Sequence, residues 1–364
     1  MKWHQLLLAP LVAIVLVTAK GVPSTSSSPI IPKELYNDIV HYSHFCKLTH
    51  CIDKPGMLNE GLLFPNGGCS IDFCKKSRNT QALVHKIHIA GADESGTAFI
   101  TVDKENNEIV VAFRASVTTA DWISDFYIRK TPYKPITHCP SGVRECEGCK
   151  VHQGFYLHMN TIYDDLVNSV LDIYNKHPEF KLVLVGHSLG AALATLTAIE
   201  FKMMGFYPHL YTYGGPRIFN LEMMRWVNEV FECEKTADAI RDGTGFTSGF
   251  LRVVHEGDYV PILPPSFFQA GTEILIAKNE LPHEIKDLNL IGVEYDNVSK
   301  KTTDGFWKIL HGFEHRTYFV TLNQCWDVDN DETDVESMEN SQDEDVDYVY
   351  DSETDESGED VSTN

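Results

Sequence analysis

Apolar residues recur along this chain in two periods. Phe155, Met159, Ile162, Leu166, Val170 and Ile173 are spaced by three or four, which sets them on one face of an amphipathic helix. Shorter apolar runs flank that stretch. Residues 97–102 and 108–113 read as strands split by a turn at 104–107, and residues 181–185 form a compact β-branched strand. Residues 191–204 are helical again, and residues 210–213 and 250–254 resume the strand pattern. This alternation predicts an α/β fold with a mainly parallel central sheet flanked by helices. Residues 33–50 read as an N-terminal helix, and residues 51–76, rich in Gly, Pro and Cys, as a stapled loop region. There is no internal repeat.

The two ends depart from this pattern. Lys2, an apolar run from Leu6 to Val17 and the small-residue site Val17-Thr18-Ala19 read as a secretory signal, residues 1–19. The run is short for a membrane span, which takes about 20 residues. Residues 20–32 are rich in Ser and Pro and read as a linker to a folded domain at 33–326. Residues 327–364 have no apolar period, hold seventeen of the 52 acidic residues and no Lys or Arg, and are expected to be a disordered acidic tail. The formal charge of −22 therefore belongs mostly to the tail, and residues 1–326 carry only −5. Such a balance argues against nucleic acid as a partner, because there is no basic excess to displace counterions. It argues equally against electrostatic docking on anionic membranes. Asn297-Val298-Ser299 is a glycosylation sequon in a polar context.

Nine cysteines fall in a chain expected to mature under oxidising conditions, and the odd count leaves at least one free or paired between chains. Cys146 and Cys149 have CxxC spacing, but a second CxxC, a His pair and a thioredoxin-like context are all missing, so a small structural disulfide is preferred over a metal or redox site.

The chemistry centres on Gly186-His187-Ser188-Leu189-Gly190, set between the strand at 181–185 and the helix at 191–204. That is the strand–turn–helix setting of a nucleophile elbow. The turn is too tight for a Cβ at the flanking positions, the Ser188 hydroxyl is raised above the sheet, and the Leu189 N–H faces an attacked carbonyl oxygen. His187 reads as a turn residue. A serine nucleophile needs a base, and the base an orienting carboxylate, in the chain order Ser, acid, His. Asp258 follows a strand beside Gly257, with Glu256 as its near rival, and His315 follows in turn, with His311 as a rival that spacing leaves open.

These segments together resemble the class-three lipases, a secreted fungal and yeast triacylglycerol lipase family of the α/β-hydrolase fold. The resemblance spans about residues 33–326 and rests on ordered motifs: residues 108–126 against "FRGS/T…W..D", residues 151–155 against "VHxGF", the elbow at 186–190, Tyr213-Gly214-Gly215-Pro216-Arg217 against "GxPR", residues 255–265 against "HxxDxVPxLPP" and residues 315–319 against "HxxYF". It implies Ser188 as nucleophile, Asp258 as acid and His315 rather than His311 as base. It further implies Ser116, with Leu189, as the oxyanion hole, and a mobile lid from Val117 through Trp122, Ile123 and Phe126. It suggests disulfides Cys46–Cys325, Cys69–Cys74 and Cys146–Cys149, and requires no metal or cofactor. The implied activity is hydrolysis of a lipid ester at an oil–water interface, with feruloyl-type esterase and phospholipase A1 as neighbouring activities and a catalytically silent secreted binding protein as the contrasting one. The chain departs from the family at Ala115 and Ala191, where glycine is usual, and in its acidic tail.

Overall fold

The computed structural model describes residues 31–325 apart from 53, 89–97, 116–128, 138–143, 247 and 294–312. In chain order its main elements are helices α1 (Lys33–Leu48) and α2 (Asp72–Lys76), strands β1 (Leu83–His88), β2 (Ala98–Asp103), β3 (Glu108–Phe113), β4 (Lys130–Pro132) and β5 (Lys150–His152), and helix α3 (Gln153–Tyr174). Strand β6 (Lys181–His187), helix α4 (Leu189–Met203), strand β7 (His209–Tyr213) and helices α5 (Leu221–Val230) and α6 (Cys233–Arg241) follow. The chain continues through β8 (Gly249–His255), β9 (Thr272–Ile276), β10 (Leu288–Gly292), helix α7 (Phe313–Arg316), β11 (Thr317–Tyr318) and β12 (Val320–Thr321).

Eight strands form one sheet in the order β1-β2-β3-β6-β7-β8-β9-β10. The five from β3 to β9 run parallel, and antiparallel strands finish both edges. A parallel sheet needs cover on both faces, and its strands alternate between two apolar layers. Ile109, Val111, Leu182 and Leu184 point into a core shared with α3, α4 and α5. Val110, Ala112, Val183 and Val185 point into a second core shared with α1. All six apolar positions that define α3 in the sequence are buried, and α4 is buried over nearly its whole length. A helix enclosed on every side loses its amphipathic stripe, which is why α4 presents an almost continuous apolar run. Among the described residues no helix is long and apolar enough to cross a membrane.

The predicted elements recur with shifted ends. The helix at 33–50 ends at Leu48 and tightens into a 3₁₀ turn, Thr49–Cys51. The strand at 181–185 runs on to His187, and the helix behind it starts at Leu189, because the elbow occupies a single residue. Strands β1, β4, β5 and β9 to β12 and helices α5, α6 and α7 had no expectation, and α2 is a short helix inside the stretch expected to be loop.

The disulfide framework corrects one expectation. Cys325 is bridged to Cys51, not to Cys46, and the Cα atoms of the pair lie 4.8 Å apart. Cys46 is on the face of α1 that packs into the second core, fully enclosed by apolar side chains and unpaired. Cys51 sits past the helix end, where the 3₁₀ turn brings it to the C-terminal segment. Cys69 is bridged to Cys74 and Cys146 to Cys149, while Cys233 is buried and free. Cys139 and the sequon at Asn297 lie outside the described residues. Replacing Cys51 and Cys325 together by Ala is expected to lower the unfolding free energy by roughly 2–5 kcal/mol, measured by denaturant titration, whereas Cys46→Ala leaves the peptide map of the bridges unchanged.

Candidate active site

The elbow follows from backbone crowding. Ser188 has φ 56° and ψ −124°, a left-handed setting imposed between β6 and α4. Its N–H donates to the Tyr213 carbonyl at 3.0 Å, and its carbonyl accepts from Ala191 N–H at 3.0 Å. A Cβ on Gly186 would lie 2.2 Å from the Gly190 oxygen, and one on Gly190 2.2 Å from the Phe113 oxygen. Neither position has room for a side chain, so the two glycines are required by contact. The strain at Ser188 is of the kind that concentrates where a side chain must be presented for chemistry.

Three residues distant in sequence meet above this turn. His315 Nε2 lies 2.9 Å from Ser188 Oγ, and His315 Nδ1 lies 3.0 and 2.9 Å from the two oxygens of Asp258. Ser188 and His315 are each 2% exposed and Asp258 is fully buried. Each side chain comes from a different part of the fold: the turn after β6, the loop after β8, and α7. Glu256, the rival acid, is partly exposed, and Asp258 is the carboxylate that faces the imidazole. His311, the rival base, lies outside the described residues, as do Ser116, Val117, Trp122, Ile123 and Phe126. Leu189 is buried at the first position of α4.

A buried carboxylate needs donors, and Asp258 has them. Besides His315, the Tyr318 hydroxyl donates to Oδ2 at 2.5 Å and the Val260 N–H donates to Oδ1 at 2.9 Å. Tyr318 in turn accepts the His255 N–H at 3.1 Å. Burial, then the neighbouring Asp258 charge, pushes the Tyr318 pKa well above its usual value, so the phenol stays a donor. Gly214, with φ 54°, lies against the same group: a Cβ there would fall 2.7 Å from Asp258 Oδ2, 2.8 Å from the Tyr318 oxygen and 3.2 Å from His315 Nδ1.

His187 is more than the turn residue expected. Its side chain swings away from Ser188, is buried, and donates from Nε2 to the His315 carbonyl at 2.7 Å, with the two ring centroids 4.7 Å apart. Burial, then His315, holds its pKa well below the usual histidine value, so it is neutral. The sequence departures fit locally. Ala191 packs against Gly215, where a Cβ would come within 2.8 Å of the Ala191 methyl, so the added methyl is matched by a missing one across the contact. Ala115 is buried two residues past the end of β3.

Tyr318, Gly214 and His187 were not assigned roles from the sequence. Each sits inside a motif that was recognised, and its spacing from a named residue was the available signal: Tyr318 three after His315, Gly214 at the end of β7, His187 beside Ser188. No cluster of three or more His, Cys, Asp or Glu side chains able to hold a metal occurs among the described residues, and the CxxC pair is a disulfide.

Known proteins resemble this chain in sequence and in fold. The family described as Lipase (class 3) matches residues 110–268, a span that holds the elbow and Asp258 and stops short of His315. A Saccharomyces cerevisiae protein named "Putative lipase LIH1" is 35% identical over 333 residues, covering 84% of this chain and 98% of that one. The secreted mono- and diacylglycerol lipase A of Penicillium cyclopium is 30% identical over 198 residues, covering 54% and 56%. The crystal structure of Lip2 lipase from Yarrowia lipolytica superposes with a TM-score of 0.70 at 20% identity, over 82% of this chain and 98% of that one.

Tyr318→Phe removes a hydrogen bond to a buried charge, an interaction worth about 1.5–3 kcal/mol. Steady-state ester hydrolysis is expected to show a fall in kcat of about tenfold or more with KM little changed.

Proposed function

This chain belongs to the class 3 lipase family, and on that premise we propose that it is a secreted serine hydrolase of acylglycerol esters, working through Ser188, His315 and Asp258. The observation that carries the reading is the continuous path from Ser188 Oγ through the His315 ring to Asp258, at 2.9 Å on either side.

In this reading His315 Nε2 takes the Ser188 proton as Oγ attacks the ester carbonyl. Asp258 fixes the tautomer with Nδ1 protonated and stabilises the imidazolium that forms. The tetrahedral intermediate collapses to an acyl-enzyme as His315 gives the proton to the leaving glyceride alcohol. Water then attacks the acyl carbonyl as the same nitrogen takes its proton, and the fatty acid leaves as His315 returns that proton to Ser188 Oγ. The Leu189 N–H and the Ser116 backbone and hydroxyl stabilise the oxyanion, each donor contributing about 10²- to 10³-fold in rate. No metal or organic cofactor enters these steps.

The near-complete burial of Ser188 and His315 supports an opening motion before a triglyceride reaches them. The segment from Val117 through Trp122, Ile123 and Phe126 is the proposed lid, its apolar side turned to lipid when open. Export through the signal at 1–19, the linker at 20–32 and the acidic tail at 327–364 complete the proposed organisation around a catalytic domain at 33–326. Three disulfides suit an oxidising destination, and the Penicillium relative is named as secreted.

The test is the initial rate of tributyrin hydrolysis, scanned through the solubility limit, for the secreted protein and for Ser188→Ala. The expected result is a rise in rate as emulsion forms and a loss of about 10⁴-fold or more in the variant. Equal rates for the two proteins on tributyrin, phospholipid and feruloyl esters would leave a silent binding protein. A Ser188-dependent rate that saturates below the limit would reject the lid.

A further inference from the structure

Phe319 has φ 66°, the left-handed conformation that a bulky residue adopts only where its surroundings impose it. It is the single residue between β11 and β12, directly after Tyr318, whose hydroxyl reaches Asp258. What imposes that conformation is visible. The Phe319 N–H donates to His283 Nδ1 at 3.2 Å, and the Phe319 ring lies edge-on between the rings of Tyr36 and His283. His283 is itself held, because the Tyr36 hydroxyl on α1 donates to its carbonyl at 2.9 Å. A line of contacts therefore runs from the outer helix through His283 and Phe319 to Tyr318 and the Asp258 carboxylate.

The chemistry of that line has one exacting element. An imidazole nitrogen accepts a hydrogen bond only when it carries no proton, and a protonated ring has two donors and no acceptor. We infer that His283 is a positioning residue for the triad: in its uncharged form it accepts the Phe319 N–H and so fixes the pivot that carries Tyr318 to Asp258, and protonation releases that pivot. The inference rests on the reading of Ser188, His315 and Asp258 as the catalytic triad.

The surroundings of His283 favour the uncharged ring. It is 2% exposed, and the His255 ring of β8 stands 4.9 Å away. Burial first, then His255 and, more weakly, Lys278, lower its pKa to about 4, against the Asn279 backbone and Asp287, which favour the charged form. From α1 the group that faces it is the uncharged phenol of Tyr36. The folded protein thus holds the ring neutral where the unfolded chain, near pH 6.5, begins to protonate it. That contribution to stability is complete above about pH 6.5 and is lost as pH falls through about 4.

The experiment uses the full secreted chain with two substitutions. In His283→Asn the amide oxygen takes the place of Nδ1 as an acceptor that does not titrate. His283→Leu removes the acceptor. At pH 8, His283→Leu is expected to lower kcat on tributyrin about tenfold with KM within about twofold, and His283→Asn to restore most of it. Melting temperature measured from pH 8 to pH 3.5 is expected to fall more steeply below pH 6.5 in the wild type than in His283→Asn. Equal kcat in the wild type and His283→Leu would overturn the inference, as would parallel melting curves for the wild type and His283→Asn. If His283→Leu does not fold, the melting comparison decides. A wild type with no Ser188-dependent hydrolysis sinks the triad reading instead, and the melting curves still report whether His283 works as an uncharged acceptor.

Discussion

Everything at the site depends on how closely three stretches of backbone approach one another at the end of β6. The carbonyls of Phe113 and Gly190 occupy the space that side chains on Gly190 and Gly186 would need. This contact locks β3, β6 and the start of α4 together, and it leaves Ser188 one conformation, with its side chain lifted clear of the sheet. The conformational cost of that residue is met by the packing of α4, which is buried along nearly its whole length. A rigid pedestal of this sort is what a nucleophile requires, since small displacements of a reacting atom cost large factors in rate.

Around the pedestal the polar groups are arranged to serve one buried charge. Asp258 draws donors from His315, Tyr318 and the Val260 backbone, and each donor is fixed by something else: His315 by His187 at its carbonyl, Tyr318 by the reversal at Phe319. Two buried neutral histidines thus hold the segment that carries the third. Histidine suits such positions because it offers one donor and one acceptor on a compact ring. The result is a polar centre with little freedom, enclosed by the two apolar layers on either side of the sheet.

The sequence was most informative where local periodicity and steric demand coincide. The spacing in α3, the β-branched run of β6 and the glycines at 186 and 190 state their structure directly, and the order Ser188, Asp258, His315 matches the residues that meet. Strands β9 and β10 and helices α5 and α6 were less legible. They are short: α5 and α6 each carry an apolar face, Met223, Met224, Trp226 and Val227 on α5 and Ala237 and Ile240 on α6, but over too few turns to stand out in the sequence. The supporting residues were hidden for another reason. Tyr318, His187 and Gly214 act through partners 40 to 130 residues away, roughly, and single-chain patterns carry no record of which distant groups they touch. The mistaken pairing of Cys46 has the same origin: four residues separate it from Cys51, and the end of α1 decides which of the two reaches Cys325.

The Cys51–Cys325 bridge also turns most of the folded chain into a covalent ring, closed across 274 residues of sequence. Ser188, Asp258 and His315 all lie on that ring, and His315 stands close in sequence to the bond that closes it. In an oxidising compartment the ring stays closed, and in a reducing one the segment that carries His315 would be held by packing and hydrogen bonds alone.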